Sequence, residues 1–225
     1  MLDLMPSTGG LRSVLCLGAH CDDIEIGCAA TLLRLRREHP ATRFHWVVLA
    51  SNPKRAAEAR RSAELILGGS NDHTVEILEF RNGYFPYIGG AIKDYFEALK
   101  ARVDPDLVFT HYRDDLHQDH RVVAELSWNT FRNHLVLEYE IPKYDGGLGS
   151  PNLFVPASRA DGQRKADLLM QCFASESNKQ WFTPDTFLGL MRVRGIECAA
   201  PEGLAEAFYS RKLTVGFGKA ESVSA

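Results

Sequence analysis

Short stretches with no polar face alternate with helix-periodic segments along most of this chain, and that alternation constrains its fold more than any other feature. The first stretch, Ser13 to Ala19, is a continuous apolar run, the pattern of a strand covered on both faces. From Ile24 to Glu38, Ile26, Ala29, Leu32, Leu33 and Leu35 recur at helical spacing, and Arg34, Arg36 and Arg37 sit where a helix C-terminus favours cations. Phe44 to Ala50 is a second buried-strand pattern. Ser51 or Asn52 with Pro53 then opens a helix that runs to about Leu67 and stops at Gly68-Gly69. Thr74 to Phe80 predicts a third strand, and Arg81-Asn82-Gly83 turns out of it.

The pattern continues with a helix after Gly89-Gly90, carrying Ile92, Tyr95, Phe96 and Leu99 on one face and ending near Asp104-Pro105. Leu107 to Thr110 reads as a strand, Asp119 to Asn133 as a helix and His134 to Glu140 as a strand. Asp145 to Ser158, rich in glycine and proline, reads as a long loop. Two further helices, Asp161 to Phe173 and Pro184 to Glu197, precede a last strand over Glu206 to Val215. Strands alternating with helices in this way predict an α/β fold: a single Rossmann-like domain over residues 1–225, with a mainly parallel sheet flanked by helices.

Length and charge narrow the function classes. The 225 residues suffice for one substantial core, and 45% apolar with 24% charged residues is the composition of a globular chain. A formal charge of -3 offers no basic excess for a nucleic-acid partner. Met1 to Gly10 has no basic leader, and the apolar run after it is too short to span a bilayer, so a cytoplasmic protein without a transmembrane segment is expected. Cys16, Cys21, Cys28, Cys172 and Cys198 form no close-spaced pair, which suggests neither a disulfide framework nor a structural zinc ribbon. Self-association as a homo-oligomer is left open.

Two loops carry the chemistry. Gly18-Ala19-His20-Cys21-Asp22-Asp23 follows the first strand and precedes the first helix. His111-Tyr112-Arg113-Asp114-Asp115-Leu116-His117-Gln118-Asp119-His120 stands in the same position after the fourth strand. Parallel topology brings both loops to the carboxyl edge of the sheet, where open α/β sheets bind ligands. His20, Asp22, Asp23, His117 and His120 can there share one metal ion, since histidine with carboxylate and an open position is how catalytic zinc is held. Adjacent aspartates point different ways, so one can ligate while its neighbour acts as base. The bland alternative for Asp22, Asp23 or Asp119 taken singly is a helix cap.

At these residues the chain resembles a known family. Gly18-Ala19-His20-Cys21-Asp22-Asp23 is similar to the A-H-x-D-D motif of the LmbE-like, or PIG-L, zinc-dependent de-N-acetylases, and His117-Gln118-Asp119-His120 to their H-P-D-H motif. The resemblance covers about Leu11 to about Asn133; the C-terminal third is alike only in general layout. It implies His20, Asp23 and His120 as ligands of zinc, with iron as the other metal that imidazole and carboxylate accept. It further implies Asp22 as general base, His117 as the group facing the reacting carbonyl, and Arg55 as a substrate contact. The implied activity is hydrolysis of an N-acetyl group from an N-acetylated amino sugar or glycoconjugate, giving acetate and a free amine. Hydrolysis of a non-sugar amide and a non-catalytic ligand-binding module are the alternatives, the second disfavoured because neither G-x-G-x-x-G nor a P-loop motif occurs.

Cys21 and Gln118 depart from the family pattern. Cys21, between two ligand-bearing neighbours, is expected to point away from the metal, and His111 is a spare imidazole nearby. Lys54, Arg55, Arg60 and Arg61 offer cations for a phosphate or form a solvated helix face. Tyr84, Phe85 and Tyr87 offer rings for a sugar or for the core. Gly146-Gly147 and Gly149 suit a flap or a turn.

Overall fold

Each fully apolar run in the sequence becomes a strand sandwiched between helices, and the chain is built outward from the first of them. The computed structural model describes residues 11–68 and 72–214. In chain order the elements are β1 (Ser13–Gly18), α1 (Asp23–Glu38), β2 (Arg43–Val48), α2 (Pro53–Leu67), β3 (His73–Ile77), α3 (Gly89–Lys100), β4 (Leu107–His111), α4 (Gln118–Thr130), β5 (Leu135–Tyr139), β6 (Leu153–Ala157), α5 (Arg159–Cys172), α6 (Pro184–Glu197) and β7 (Leu204–Tyr209). They form one α/β domain around a seven-stranded sheet of order β3-β2-β1-β4-β5-β7-β6. The first five strands in chain order are mutually parallel, with β1 registered against β2 from Ser13↔Arg43 to Gly18↔Val48 and against β4 from Val14↔Leu107 to Cys16↔Phe109.

The chain steps from β1 outward to β3 and then returns to place β4 on the other side of β1. That reversal puts the loops after β1 and β4 next to each other at the switch point of the sheet. Alternating side chains of β1 explain why its run has no polar face. Val14 and Cys16 belong to the core under α1, α2 and α5, whereas Leu15 and Leu17 belong to the core under α3 and α4. The caps follow local chemistry: Asn52 accepts the Arg55 amide ahead of Pro53, Ser158 accepts that of Asp161, and Thr183 accepts that of Thr186 ahead of Pro184.

Two expectations for the C-terminal third are corrected. Leu153–Ala157, inside the stretch read as loop, is β6; it is the outermost strand, where Pro156 is tolerated because its missing N–H faces no further strand. The last strand begins at Leu204 rather than Glu206 and ends at Tyr209; its expected end at Val215 lies outside the described residues, as does Gly69. β7 runs antiparallel to both β5 and β6, so the sheet is mostly parallel with an antiparallel extension. The third strand also ends earlier, at Ile77, although the Leu78 and Phe80 amides continue to bond to Val48 and Leu49.

One helix is broken where it meets the extension. Within α1, Cys28 leaves helical geometry at φ -149 and ψ 19. Gly27 beside it lies so close to β5 that a Cβ there would fall 2.3 Å from the Tyr139 ring, which only glycine permits. The backbone groups freed by the break are matched by buried side chains. Glu206 of β7 accepts the amides of Ala30 and Thr31 at 3.1 and 2.7 Å, and Lys165 of α5 donates to the Ile26 carbonyl and to Glu206, both at 2.6 Å. Among the described residues no helix is long and apolar enough to cross a membrane.

Candidate metal centre

The turn out of β1 and the turn out of β4 meet over the switch point, and the sequence-expected site residues converge there. His20, Asp22, Asp23, His117 and His120 line one pocket of about 170 Å³, together with Arg55 from the start of α2. His20, Asp22, Asp23 and His120 are buried, so their hydrogen-bond partners decide what each can do.

A neutral imidazole has one N–H and one lone pair, and the partner of one nitrogen fixes the role of the other. His20 Nε2 faces the Asp119 carboxylate at 3.3 Å, which leaves Nδ1 as the lone pair. His120 Nδ1 faces Asp115 Oδ2 at 3.1 Å, which leaves Nε2 as the lone pair. His111 Nε2 lies 2.9 Å from the Ala19 amide and 3.2 Å from Asp23 Oδ2; with that amide donating, the ring proton is on Nδ1, which is buried without a partner among the described residues. His117, the N-cap of α4, accepts the Asp119 amide on Nδ1 at 3.2 Å, so its Nε2 carries a proton. Two rings therefore present electron pairs and two present protons.

The two free lone pairs, His20 Nδ1 and His120 Nε2, face each other at 3.2 Å. Asp23 closes the triangle, with Oδ2 at 3.3 Å from His20 Nδ1 and Oδ1 at 3.5 Å from His120 Nε2. Asp23 thus faces the two rings with different oxygens, and its Oδ2 also accepts the His20 amide at 2.6 Å, so four electron-rich atoms gather where a cation or a shared proton would balance them. Zinc bonds of about 2.0–2.1 Å in a tetrahedron give ligand edges of about 3.4 Å, so the donor set and its spacing fit a catalytic ion. The carboxylates behind both imidazoles are the usual support of metal-binding histidines. Ligand-capable atoms also converge in two overlapping groups, His20 with His117 and His120, and Asp23 with His111 and His120. The lone-pair assignment favours neither His117 nor His111 as a ligand.

The electrostatics differ from ring to ring. Burial works against a charged His20, yet Asp23 and Asp119 push its pKa up to about 9, which marks a position that favours positive charge. Burial and the adjacent His111 push His120 down to about 3. Burial opposes ionisation of Asp23, but His120, His111 and His20 hold it well below its ordinary value. Asp22 is different: burial raises it to about 6 even though Arg55 Nη2 lies 2.9 Å from Oδ1. It occupies the N-cap position of α1 without making a side-chain cap, and its carboxylate instead pairs with Arg55 at the pocket wall.

Other expectations also meet the geometry. Cys21 points away, its thiol directed at the Ala50 carbonyl at 3.6 Å. Gln118 bonds to the Gly83 carbonyl, and Asp119 accepts the Gly83 and Phe85 amides, tying the turn after β3 to α4. Phe85 is wholly buried, while Tyr84 and Tyr87 are exposed. Arg55 lines the pocket, but its Nη2 is held between Asp22 and Glu176, at 2.9 and 3.0 Å. Sequence reading missed Asp115, Glu176, Lys143, Lys179 and Trp181. Asp115 stood inside the second loop, two residues before His117, whereas the others arrive from stretches with no local signal.

An α/β domain with histidines and carboxylates gathered at its switch point has the donor set of a candidate metal site. The family model PIG-L, described as GlcNAc-PI de-N-acetylase, matches residues 15–131, and the chain belongs to that family. Among curated relatives, an uncharacterised deacetylase of Escherichia coli K12, YaiS, is 28% identical over 150 residues, covering 62% of this chain and 79% of the relative. Two solved structures share the fold at 18% identity. The conserved protein TT1542 from Thermus thermophilus has a TM-score of 0.72 over 95% of this chain and 100% of its own. The N,N'-diacetylchitobiose deacetylase from Pyrococcus horikoshii has a TM-score of 0.66 over 89% and 84%. A Pseudomonas putida 4-carboxy-2-hydroxymuconate hydratase, GalB, is as similar in fold at 16% identity, with a TM-score of 0.73 over 93% and 100%, so fold alone does not fix the reaction.

Proposed function

We propose that this chain is a metal-dependent amidohydrolase that removes the acetyl group from an N-acetylated amino sugar or glycoconjugate, releasing acetate and a free amine. One observation carries the reading: two buried imidazole nitrogens, His20 Nδ1 and His120 Nε2, lie 3.2 Å apart beside the Asp23 carboxylate, with the acid Asp22 next to them in the same pocket. His20, Asp23 and His120 would hold the ion, zinc or alternatively iron. When bound, such an ion acidifies water and polarises a carbonyl. Asp22, buried at the pocket wall beside Arg55, takes the proton as water attacks the amide carbon. His117, with Nδ1 occupied by a backbone amide, keeps Nε2–H to hydrogen-bond the carbonyl oxygen as charge builds there, and then to protonate the departing amine. Arg55 holds Asp22 in place. The same proposal puts the enzyme in the cytoplasm as one domain over residues 1–225, with no nucleic-acid partner.

Acetate release from a panel of N-acetylglucosamine derivatives tests it, using protein as isolated, after chelation and after zinc is restored. Activity that vanishes with chelator and returns with zinc is the expected result. Bound metal with no acetate from sugar or non-sugar amides would redirect the reading to water addition of the kind named for the Pseudomonas neighbour. Neither metal nor acetate would leave a binding module.

A further inference from the structure

We propose that Glu176 sets the charge preference of this pocket: by neutralising Arg55 and Lys179 it selects an uncharged N-acetylated sugar over a phosphorylated form of the same sugar. The inference rests on the deacetylase reading. Of the four cations the sequence offers to a phosphate, Arg55 is the one that lines the pocket, joined there by Lys143 and Lys179. Each of the three is matched to a buried carboxylate. Arg55 Nη2 lies 3.0 Å from Glu176 Oε1, Lys179 Nζ contacts Glu176 Oε2, and Lys143 Nζ lies 2.7 Å from Asp115 Oδ2. Glu176 is 3% exposed, so its charge acts with little screening. Asp145 adds another negative charge to the lining.

Asp22, Asp23 and Asp145 in the lining, with Glu176 and Asp115 behind it, set five carboxylates against Arg55, Lys143 and Lys179, and a divalent ion on His20, Asp23 and His120 would bring the two sides level. An incoming phosphate would have to pull Arg55 or Lys179 from Glu176 and strand a buried carboxylate, a cost that a neutral sugar avoids. Glu176 sits in the short turn Ala174–Glu176, beyond the 15–131 stretch that the family model matches.

The test compares kcat/KM for acetate release from methyl N-acetylglucosaminide and from N-acetylglucosamine 1-phosphate, with zinc-loaded wild type, Glu176→Gln and Lys179→Met at low ionic strength. Wild type should favour the neutral sugar by about tenfold or more, Glu176→Gln should narrow that ratio about tenfold, and Lys179→Met should widen it. Lys179 is 39% exposed in its side chain, so its variant keeps the test open if Glu176→Gln fails to fold. A wild type that prefers the phosphate overturns the proposal. So does a Glu176→Gln that slows both sugars equally and leaves the ratio fixed, the result a purely structural Glu176 would give. Acetate from neither sugar removes the deacetylase reading itself, and this preference with it.

Discussion

Two buried clusters of charged side chains flank α1, and they differ in one respect. At the break in α1, Lys165 and Glu206 meet at 2.6 Å, and the freed Ile26 carbonyl and Ala30 and Thr31 amides each have a partner among them. At the other end, His20 Nδ1, His120 Nε2 and the Asp23 carboxylate crowd together at the wall of the pocket, and Asp23 Oδ2 also accepts the His20 amide at 2.6 Å. The first cluster is closed and serves the fold; the second turns atoms capable of holding a metal towards a pocket. Burial and charge are alike in both, so what separates a functional site from a structural one is how those groups are partnered, not the presence of buried ionisable groups.

The sharpest way to break that contrast is to change Asp22, which belongs to the open cluster but not to its lone-pair triangle. Asp22→Asn should lower kcat about 10²–10⁴-fold while leaving bound zinc unchanged. Acetate assays beside metal analysis check this, and a variant that also loses its metal would move Asp22 into the ligand set.

The closed cluster should respond in the opposite currency, stability. Glu206→Gln leaves the Lys165 ammonium buried without a counter-charge, and should cost about 3–5 kcal/mol in urea unfolding. Replacing both charges, as Lys165→Met with Glu206→Gln, should recover much of that loss. If the double variant is no better than the single, the two residues are not acting as a pair.

The same contrast explains what the sequence made legible. The β1 and β4 loops could be read because their chemistry is local: an imidazole and two carboxylates within four residues, and two histidines within another four, each at the end of an apolar run. The roles of the four histidines could not be read, because each is decided by a partner distant in sequence or by a backbone amide, as with Asp119 behind His20 and the Ala19 amide on His111. The parallel half of the sheet followed from βα alternation, since each strand there is buried on both faces. β6 and β7 escaped or shifted because their pairing is antiparallel and nonlocal, and because Pro156 reads as a strand breaker until the strand is known to lie at the edge. The break in α1 left no trace in the helical period, being imposed by Tyr139 against Gly27.

Between the two extremes lie the carboxylates that hold the open cluster's histidines. Asp115→Asn removes the acceptor of His120 Nδ1–H and frees Lys143, so zinc affinity should fall about 10–100-fold with a smaller change in unfolding midpoint. Competition with a fluorescent chelator measures it. Unchanged affinity would mean that the triangle holds the ion without that support, and that the ring orientation is set by packing alone.

The smallest effect is expected from an ion pair that belongs to neither cluster. Asp161 in the first turn of α5 accepts both terminal nitrogens of Arg37 at 2.9 Å, and with Ser158 they hold its pKa below the ordinary carboxylate value. A lowered native pKa means that this contribution is present above the unfolded value of about 4 and is lost as pH falls through the native value. Arg37 is 56% exposed in its side chain, so solvent screens the pair and it should be worth no more than about 1 kcal/mol. Asp161→Asn should therefore lower the urea midpoint slightly at pH 7 and approach wild type towards pH 3. A deficit that stays constant across that range would assign the loss to the hydrogen bond from Ser158 Oγ to the Asp161 side chain rather than to charge, since the substitution leaves in place the backbone amide that caps α5 through Ser158 Oγ.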